Sequence, residues 1–470
     1  MTDLSNICLK PLTEVAEMIK RKEISPTALT QAMLDRIDAL NPKLLAYKVV
    51  LAEQAMAQAK IAEQEIADGN YKGTLHGIPV AIKDIVDMKG LPTACGSTIR
   101  AEHVAEADAT IIDALNKAGA VILGKLNMTE FALYGYHPER DIPKNPWDEN
   151  MWSGVSSSGS AVATSSSLCF AAIGTDTGGS IRYPSAATNI VGIKPTWGLV
   201  SRNGVFPLAE SLDHIGPMAR TVADAAALLS VIAGQDDNDL TTLKAEIPDY
   251  SQALNTDIKG MKIGIDRNYV LMNTAPELSE AVMTALAKFE ELGAEIVEVD
   301  TTGIMECNEH WITATAAEAL ASHTENGFYP ECADLYGPVF KDLLEQGSKM
   351  SAAGYAQIQF ARERVTGAIN GALANVDVML CPPMPMPAPP AEAFPPQQIV
   401  PNENMGPVGC FTVPFNFSGH PTITQPCGFL TETTPLALQL VAKHGEESAL
   451  IHAAYAYEQA TEWHLKKPAV

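Results

Sequence analysis

The chain has 470 residues, 46% of them hydrophobic and 19% charged, with no long polar tract, so a large buried core is expected. A formal net charge of -24 argues against a phosphate-binding surface, and the only adjacent basic residues, Lys20-Arg21-Lys22 and Lys466-Lys467, read as solvated helix ends rather than a nucleic-acid footprint. The eight cysteines form no CxxC pair and the ten histidines no ligand spacing, so buried reduced thiols are expected and no metal or cofactor.

In chain order, the first eighty residues read as helix, helix, helix, strand. Ser25-Pro26 supplies an N-cap with proline at the first helical position, and Leu29, Met33 and Ile37 follow at helical spacing. Val50 to Ala67 reads as a helix rich in Ala, Glu and Gln, and Pro79 to Ile82 as a short apolar strand ending at Lys83-Asp84. A helix over Asp108 to Ala118 precedes a buried strand, Val121 to Leu123. Ser153 to Ser167 is serine-rich and small; Leu168 to Ile173 is an apolar strand that delivers the chain to a turn over Gly174 to Ser180.

Thr221 with Asp224 looks like a capping box opening a helix to Ala233, and Gln235 to Asp239 like an exposed connection. Met261 to Ile265, Glu277 to Leu292 and Glu295 to Val299 form a βαβ pattern, and 307–375 is mainly helical. Pro382 to Pro396 cannot form regular structure, Leu436 to Val441 alternates as a strand, and Glu446 to Trp463 closes the chain as a helix. Strands alternating with helices predict an α/β fold with a mixed or parallel sheet covered on both faces. No run approaches the roughly 20 apolar residues of a membrane span, and Met1 to Lys10 lacks the pattern of a secretory signal, so a cytoplasmic protein is expected.

Three segments carry chemistry. At Gly178-Gly179-Ser180 an apolar strand reaches a turn whose glycines permit successive N–H groups to converge on one point, with a hydroxyl just beyond. A phosphate-cradling loop or an ordinary glycine turn would read the same. Ser156, Ser157 and Ser158 have a linker's composition, but the buried strand that follows at once favours a close-packed backbone. Lys83 ends an apolar strand, where desolvation would make it lose its proton more easily. No Gly-x-Ser-x-Gly and no Ser-x-x-Lys occurs, and a Ser/His/Asp arrangement would have to draw on the adjacent pair Asp213-His214.

Taken together, Gly77-Ile-Pro-Val-Ala-Ile-Lys83-Asp84, Ser153 to Ser160 and Gly174-Thr-Asp-Thr-Gly-Gly-Ser-Ile-Arg182 resemble the amidase signature family. The likeness continues through Gly192-Ile-Lys-Pro-Thr196, Gly198 to Ser201, Ser211 to Pro217, Pro435 to Leu440 and Tyr457-Glu-Gln459, spanning nearly the whole chain. It implies one amidase signature domain over 1–470, with its core at about 77–220 and a more variable helical region at about 301–375. It also implies a nucleophile at Ser180, a relay at Ser156 following a cis peptide, and a base at Lys83. Oxyanion donors would be the amides of Thr177, Gly178, Gly179 and Ser180; Ser157, Asp176 and Arg182 would support them, with Leu133 and Tyr134 near the acyl pocket and Met379 to Met386 bordering its mouth. Where the family has Gly-Gly-Ser-Ser-Gly-Gly-Ser, this chain has Gly154-Val-Ser-Ser-Ser-Gly-Ser160, so Val155 and Ser158 replace glycines and the path of the loop is open.

The activity implied is hydrolysis of small linear amides, and of esters or carbamates, by acyl transfer without metal or cofactor. The expected partner is a small amide-type molecule, with no nucleic acid and no membrane, for a monomer or homodimer. The alternatives are the A subunit of a glutamyl-tRNA(Gln) amidotransferase, which passes ammonia to a partner chain, and a non-catalytic binding descendant.

Overall fold

A computed structural model describes residues 4–272, 274–393, 395 and 408–470. Its strands form an 11-stranded sheet: β1 (Tyr47–Val50), β2 (Pro79–Lys83), β3 (Val121–Leu126), β4 (Ala171–Asp176), β5 (Val191–Lys194), β6 (His214–Ala219), β7 (Lys262–Ile265), β8 (Glu295–Glu298), β9 (Val378–Cys381), β10 (Thr422–Thr431) and β11 (Thr434–Ala442), in the order β1-β3-β2-β4-β6-β5-β10-β11-β9-β7-β8. β2 runs parallel to both β3 and β4, β7 parallel to β8 and β9, and the strands between are antiparallel, so the sheet is mixed as expected. Every residue of β2, β3, β4, β5, β6, β9 and β11 is buried, which requires helices over both faces; the edge strands β1 and β8 are largely open.

Several expected elements form where local chemistry placed them. Ser25 caps its helix by accepting from the Ala28 amide at 3.1 Å, with Pro26 at the first position, and the βαβ unit is β7, helix Pro276–Glu291 and β8. Helices Asn308–Glu325, Pro338–Gly347 and Ala352–Leu373 fill the expected helical region. Over the described part of Pro382 to Pro396 only the 3-10 turn Ala391–Ala393 interrupts an irregular path; Phe394 and Pro396 lie outside the described residues.

Other elements differ from expectation. Val50 belongs to β1, because the segment pairs with β3 before the helix Ala52–Ala67 begins. β3 continues past Leu123 to Leu126. β4 starts three residues later than expected and runs through Gly174, Thr175 and Asp176, held by β6 residue for residue from Ala171↔Ala219 to Asp176↔His214, so the turn proper is only Thr177 to Ser180. Gly174 is a strand glycine because a Cβ there would lie 2.6 Å from Met218 Sδ. Half of the expected capping box is present: Thr221 Oγ1 accepts from the Asp224 amide at 3.2 Å. The Asp224 carboxylate instead accepts from the amides of Leu12 (2.9 Å) and Thr13 (3.0 Å), tying the start of helix Leu12–Lys20 to helix Val222–Ile232. In the Gln235 to Asp239 connection Asp236 is buried, taking hydrogen bonds from Ser201 Oγ and Thr110 Oγ1.

Replacing the buried Asp224 by alanine strands those two amides. Asp224→Ala should therefore lower unfolding free energy by about 2–4 kcal/mol in urea titration, whereas an exposed acid such as Glu53 should change it by less than about 0.5 kcal/mol.

Candidate active site

β2 and β4 are parallel neighbours, so their C-terminal ends lie side by side, and there the site is built. Lys83 is the last residue of β2 and fully buried. Its ammonium has three donors, and three hydroxyls take them: Ser156 Oγ at 2.7 Å, Ser157 Oγ at 2.9 Å and Thr175 Oγ1 at 2.7 Å. No carboxylate among the described residues touches it. The adjacent Asp84 is paired instead with Lys125, 3.0 Å away. Burial among neutral hydroxyls pushes the Lys83 pKa down to about 7, against the weaker pull of Asp176 and Asp213.

The three hydroxyls are not equivalent. Ser157 Oγ gives its proton to the Thr175 carbonyl (3.1 Å) and accepts from the Thr175 amide (3.2 Å), so toward Lys83 it can only accept. Ser156 Oγ meets Lys83 and no other described group. The Val155–Ser156 peptide is cis, and the loop path left open by the sequence is explained by its neighbours. Gly154 has φ +79° against the backbone of Pro184, and a Cβ at Gly159 would lie 2.3 Å from the Asn127 carbonyl; these two must be glycine. Ser158 is accommodated, its hydroxyl 2.5 Å from Tyr136 OH at the start of helix Ser158–Ser165.

Ser180 closes the turn two residues before helix Arg182–Thr188. Its carbonyl accepts from the Ser157 amide at 3.3 Å, which draws the turn onto the serine loop. Lys83, Ser156 and Ser157 are fully buried, while Ser180 is partly exposed, so it is the residue of the group that solvent reaches.

Every carbonyl of the turn is occupied. Trp311 Nε1 donates to the Thr177 carbonyl (2.9 Å), Thr412 Oγ1 to that of Gly178 (2.7 Å), and the Tyr183 amide to that of Gly179 (2.7 Å). Of the four amides expected to hold an oxyanion, that of Gly179 is spoken for, donating to Asp176 Oδ1 at 2.8 Å. Those of Thr177, Gly178 and Ser180 have no acceptor among the described residues. The two glycines serve different needs: a Cβ on Gly178 would lie 2.4 Å from the Trp311 ring, and Gly179 combines φ +134° with the Tyr183 ring at 2.3 Å.

Asp176 organises the turn from within. Besides Gly179 it takes the Ile181 amide (3.0 Å), both Nε (3.0 Å) and Nη2 (2.9 Å) of Arg182, and Asn416 Nδ2 (2.9 Å). Burial alone would raise its pKa, but the Arg182 guanidinium and Asn416 hold it well below the usual carboxylate range. Arg182 in turn donates to the Thr412 carbonyl (3.0 Å) and Gln439 Oε1 (3.2 Å).

Asp213 and His214 do not form a Ser/His/Asp arrangement. Asp213 accepts from Thr177 Oγ1 (2.5 Å) and the amides of Leu208 and Ala209, with burial raising its pKa to about 6. His214 Nδ1 faces the Leu212 carbonyl at 2.7 Å, and burial, with Lys194 next, pushes its pKa well down. The loop holding Leu133 and Tyr134 is tied to the serine loop where the Thr129 amide meets the Ser156 carbonyl at 3.4 Å, but Leu133 itself is buried in the core and Tyr134 packs against it; no described contact joins either to Ser180. Met379 is buried in β9, whereas Met384 packs with Tyr183, the ring against Gly179. Trp311, Thr412 and Asn416 carry no local sequence signal, while Gln439 lies in the Pro435 to Leu440 segment of the family likeness without any sign there of its contact with Arg182. Among the described residues no group of three or more His, Cys, Asp or Glu is placed to hold a metal ion, and no helix is long and apolar enough to cross a membrane.

The chain matches the Amidase family model over residues 28–451. It therefore belongs to the amidase signature family. Among relatives, AmiD of Mycobacterium tuberculosis (strain ATCC 25618 / H37Rv), a protein named as an amidase, is 38% identical over 98% of this chain and 96% of its own. The A subunit of glutamyl-tRNA(Gln) amidotransferase from Thermosynechococcus vestitus is also 38% identical, over 97% of this chain and 99% of its own. Among solved structures, the native peptide amidase from Stenotrophomonas maltophilia superposes with a TM-score of 0.82 at 30% identity, covering 96% of this chain and 97% of its own.

Within this amidase fold the fully buried Asp176–Arg182 pair makes a direct demand on stability. Arg182→Ala leaves a buried carboxylate without its cation and should lower unfolding free energy by about 3–5 kcal/mol in a denaturant titration.

Proposed function

We propose that this protein hydrolyses the C–N bond of small linear amides by acyl transfer, with Ser180 as nucleophile, Ser156 as relay and Lys83 as base. The observation that carries the reading is the 2.7 Å contact between Lys83 Nζ and Ser156 Oγ, inside a buried cage that forms no ion pair with the lysine. A lysine whose pKa is pushed down to about 7 is partly neutral at neutral pH, as a general base requires.

Neutral Lys83 takes the proton of Ser156, which takes that of Ser180 as Ser180 Oγ attacks the carbonyl carbon. The developing oxyanion is met by the amides of Gly178 and Ser180, joined by that of Thr177. Ser156 then passes a proton to the departing nitrogen, regaining its own from Lys83, and the C–N bond breaks to leave an acyl-Ser180. Water, deprotonated over the same route, attacks the acyl carbon and releases the acid with Ser180 restored. Esters and carbamates follow the same course with oxygen leaving or nitrogen retained. The reaction runs on one chain and needs no acceptor, which separates it from ammonia transfer to a partner.

A fluorophosphonate should label the wild type at Ser180, and Ser180→Ala should remain folded while losing both label and turnover. Purified chain given simple amides should release amine or ammonia without any acceptor; turnover that appears only with a second protein and an acceptor would contradict an independent amidase.

The base makes a prediction with a sign. Because the folded pKa of Lys83 lies below its ordinary value, the active neutral form gains as pH rises, so kcat/KM should climb through about pH 7 and level above it. Asp213, near 6, could bend the same curve. Lys83→Arg decides between them, since arginine stays charged at any working pH: turnover should fall by a factor of roughly 10³ or more and should not return in alkali.

A further inference from the structure

The helix Asn308–Glu325 belongs to the helical region expected to be more variable, yet it sends one side chain onto the turn that carries Ser180. Trp311 lies with its ring where a side chain on Gly178 would be, and its Nε1–H donates to the Thr177 carbonyl at 2.9 Å. In a trans peptide the carbonyl and the following N–H point in opposite directions. Fixing the Thr177 carbonyl on the indole therefore fixes the Gly178 N–H on the other side, where no described protein acceptor meets it. The neighbouring peptides are set by other groups: Thr412 on the Gly178 carbonyl turns the Gly179 N–H toward Asp176, and the Tyr183 amide on the Gly179 carbonyl sets the Ser180 N–H. Thr177 is also anchored through its hydroxyl on Asp213, but among the described residues the indole is the only donor to the carbonyl that shares a peptide with the Gly178 N–H.

We infer that Trp311 is a positioning residue of the reaction, aiming the Gly178 N–H at the oxyanion through its hydrogen bond to Thr177. The inference rests on the reading of Ser180 as nucleophile and adds to it a residue that need not touch the reacting atoms. Trp311 is part-buried and packs against the edge of the main core, which holds the ring in place while the bond to Thr177 fixes where its N–H points. The energetic logic is that of a preorganised donor: a misaimed N–H costs most when charge develops on the oxygen and little while the substrate is merely bound.

The test removes the bond and keeps the shape. Replacing Trp311 by 3-benzothienylalanine substitutes sulfur for the indole N–H at nearly unchanged volume, and Trp311→Phe is the encodable companion. With Tm and Ser180 labelling retained, kcat should fall about ten- to hundredfold while KM stays within about twofold, for the isostere and for Trp311→Phe alike. An isostere with wild-type kcat, or a loss lying wholly in KM, overturns the inference while the Ser180 reading stands. A wild type that a fluorophosphonate labels elsewhere than Ser180 overturns the reading beneath it.

Discussion

A carboxylate with no access to water sits at the end of β4 and determines much of what surrounds it. Asp176 cannot be left unpaired in such a place, because an uncompensated buried charge would cost several kcal/mol. Arg182 answers it from six residues on, and the chain between them must fold back to let the guanidinium and the amides of Gly179 and Ile181 reach the same two oxygens. That foldback is the turn bearing Ser180. Its sharpness explains the glycines, and its carbonyls, forced outward, are met by Trp311, Thr412 and the Tyr183 amide. The amides of Gly178 and Ser180, which meet no acceptor among the described residues, face away from those carbonyl partners as a consequence.

Lys83 shows the opposite treatment of charge. The chain has an acid beside it in sequence, but strand alternation turns Asp84 to Lys125 and leaves Lys83 with hydroxyls alone. Asp176 is stabilised as an anion by a cation in contact, while the lysine at the neighbouring strand end is denied any anion in contact and is thereby kept ready to lose a proton. The two environments differ by contacts of a few ångströms, and the proposed chemistry depends on the difference.

Local pattern makes part of this legible. A lysine ending an apolar strand, a double glycine before a serine, and a small serine loop wedged ahead of a buried strand each have a short-range physical reason, and the family likeness joins them. The boundary of β4 escapes a local reading because Gly174 and Thr175 look like turn residues, whereas pairing along the whole of β6 keeps them extended. β1, β5, β6, β9 and β10 are short, or carry glycine and proline, and announce themselves only through their partners. Trp311, Thr412 and Asn416 have no local signature at all, and Gln439, though it lies in a segment of family likeness, meets Arg182 across 257 residues, a contact that nothing near it in sequence announces.

That last contact has a consequence for when the molecule becomes an enzyme. Arg182 is held by Thr412, Asn416 and Gln439, and β11, which carries Gln439, lies in the middle of the sheet although it is the last strand in chain order. A ribosome that has synthesised Lys83, Ser156 and Ser180 has therefore produced the three groups of the proposed reaction but not the support that shapes the turn between them. The turn that places the hydroxyl at 180 is complete only once the chain through Gln439 is present, so a polypeptide stopped short of β11 would carry the groups of the proposed chemistry without the frame that sets them.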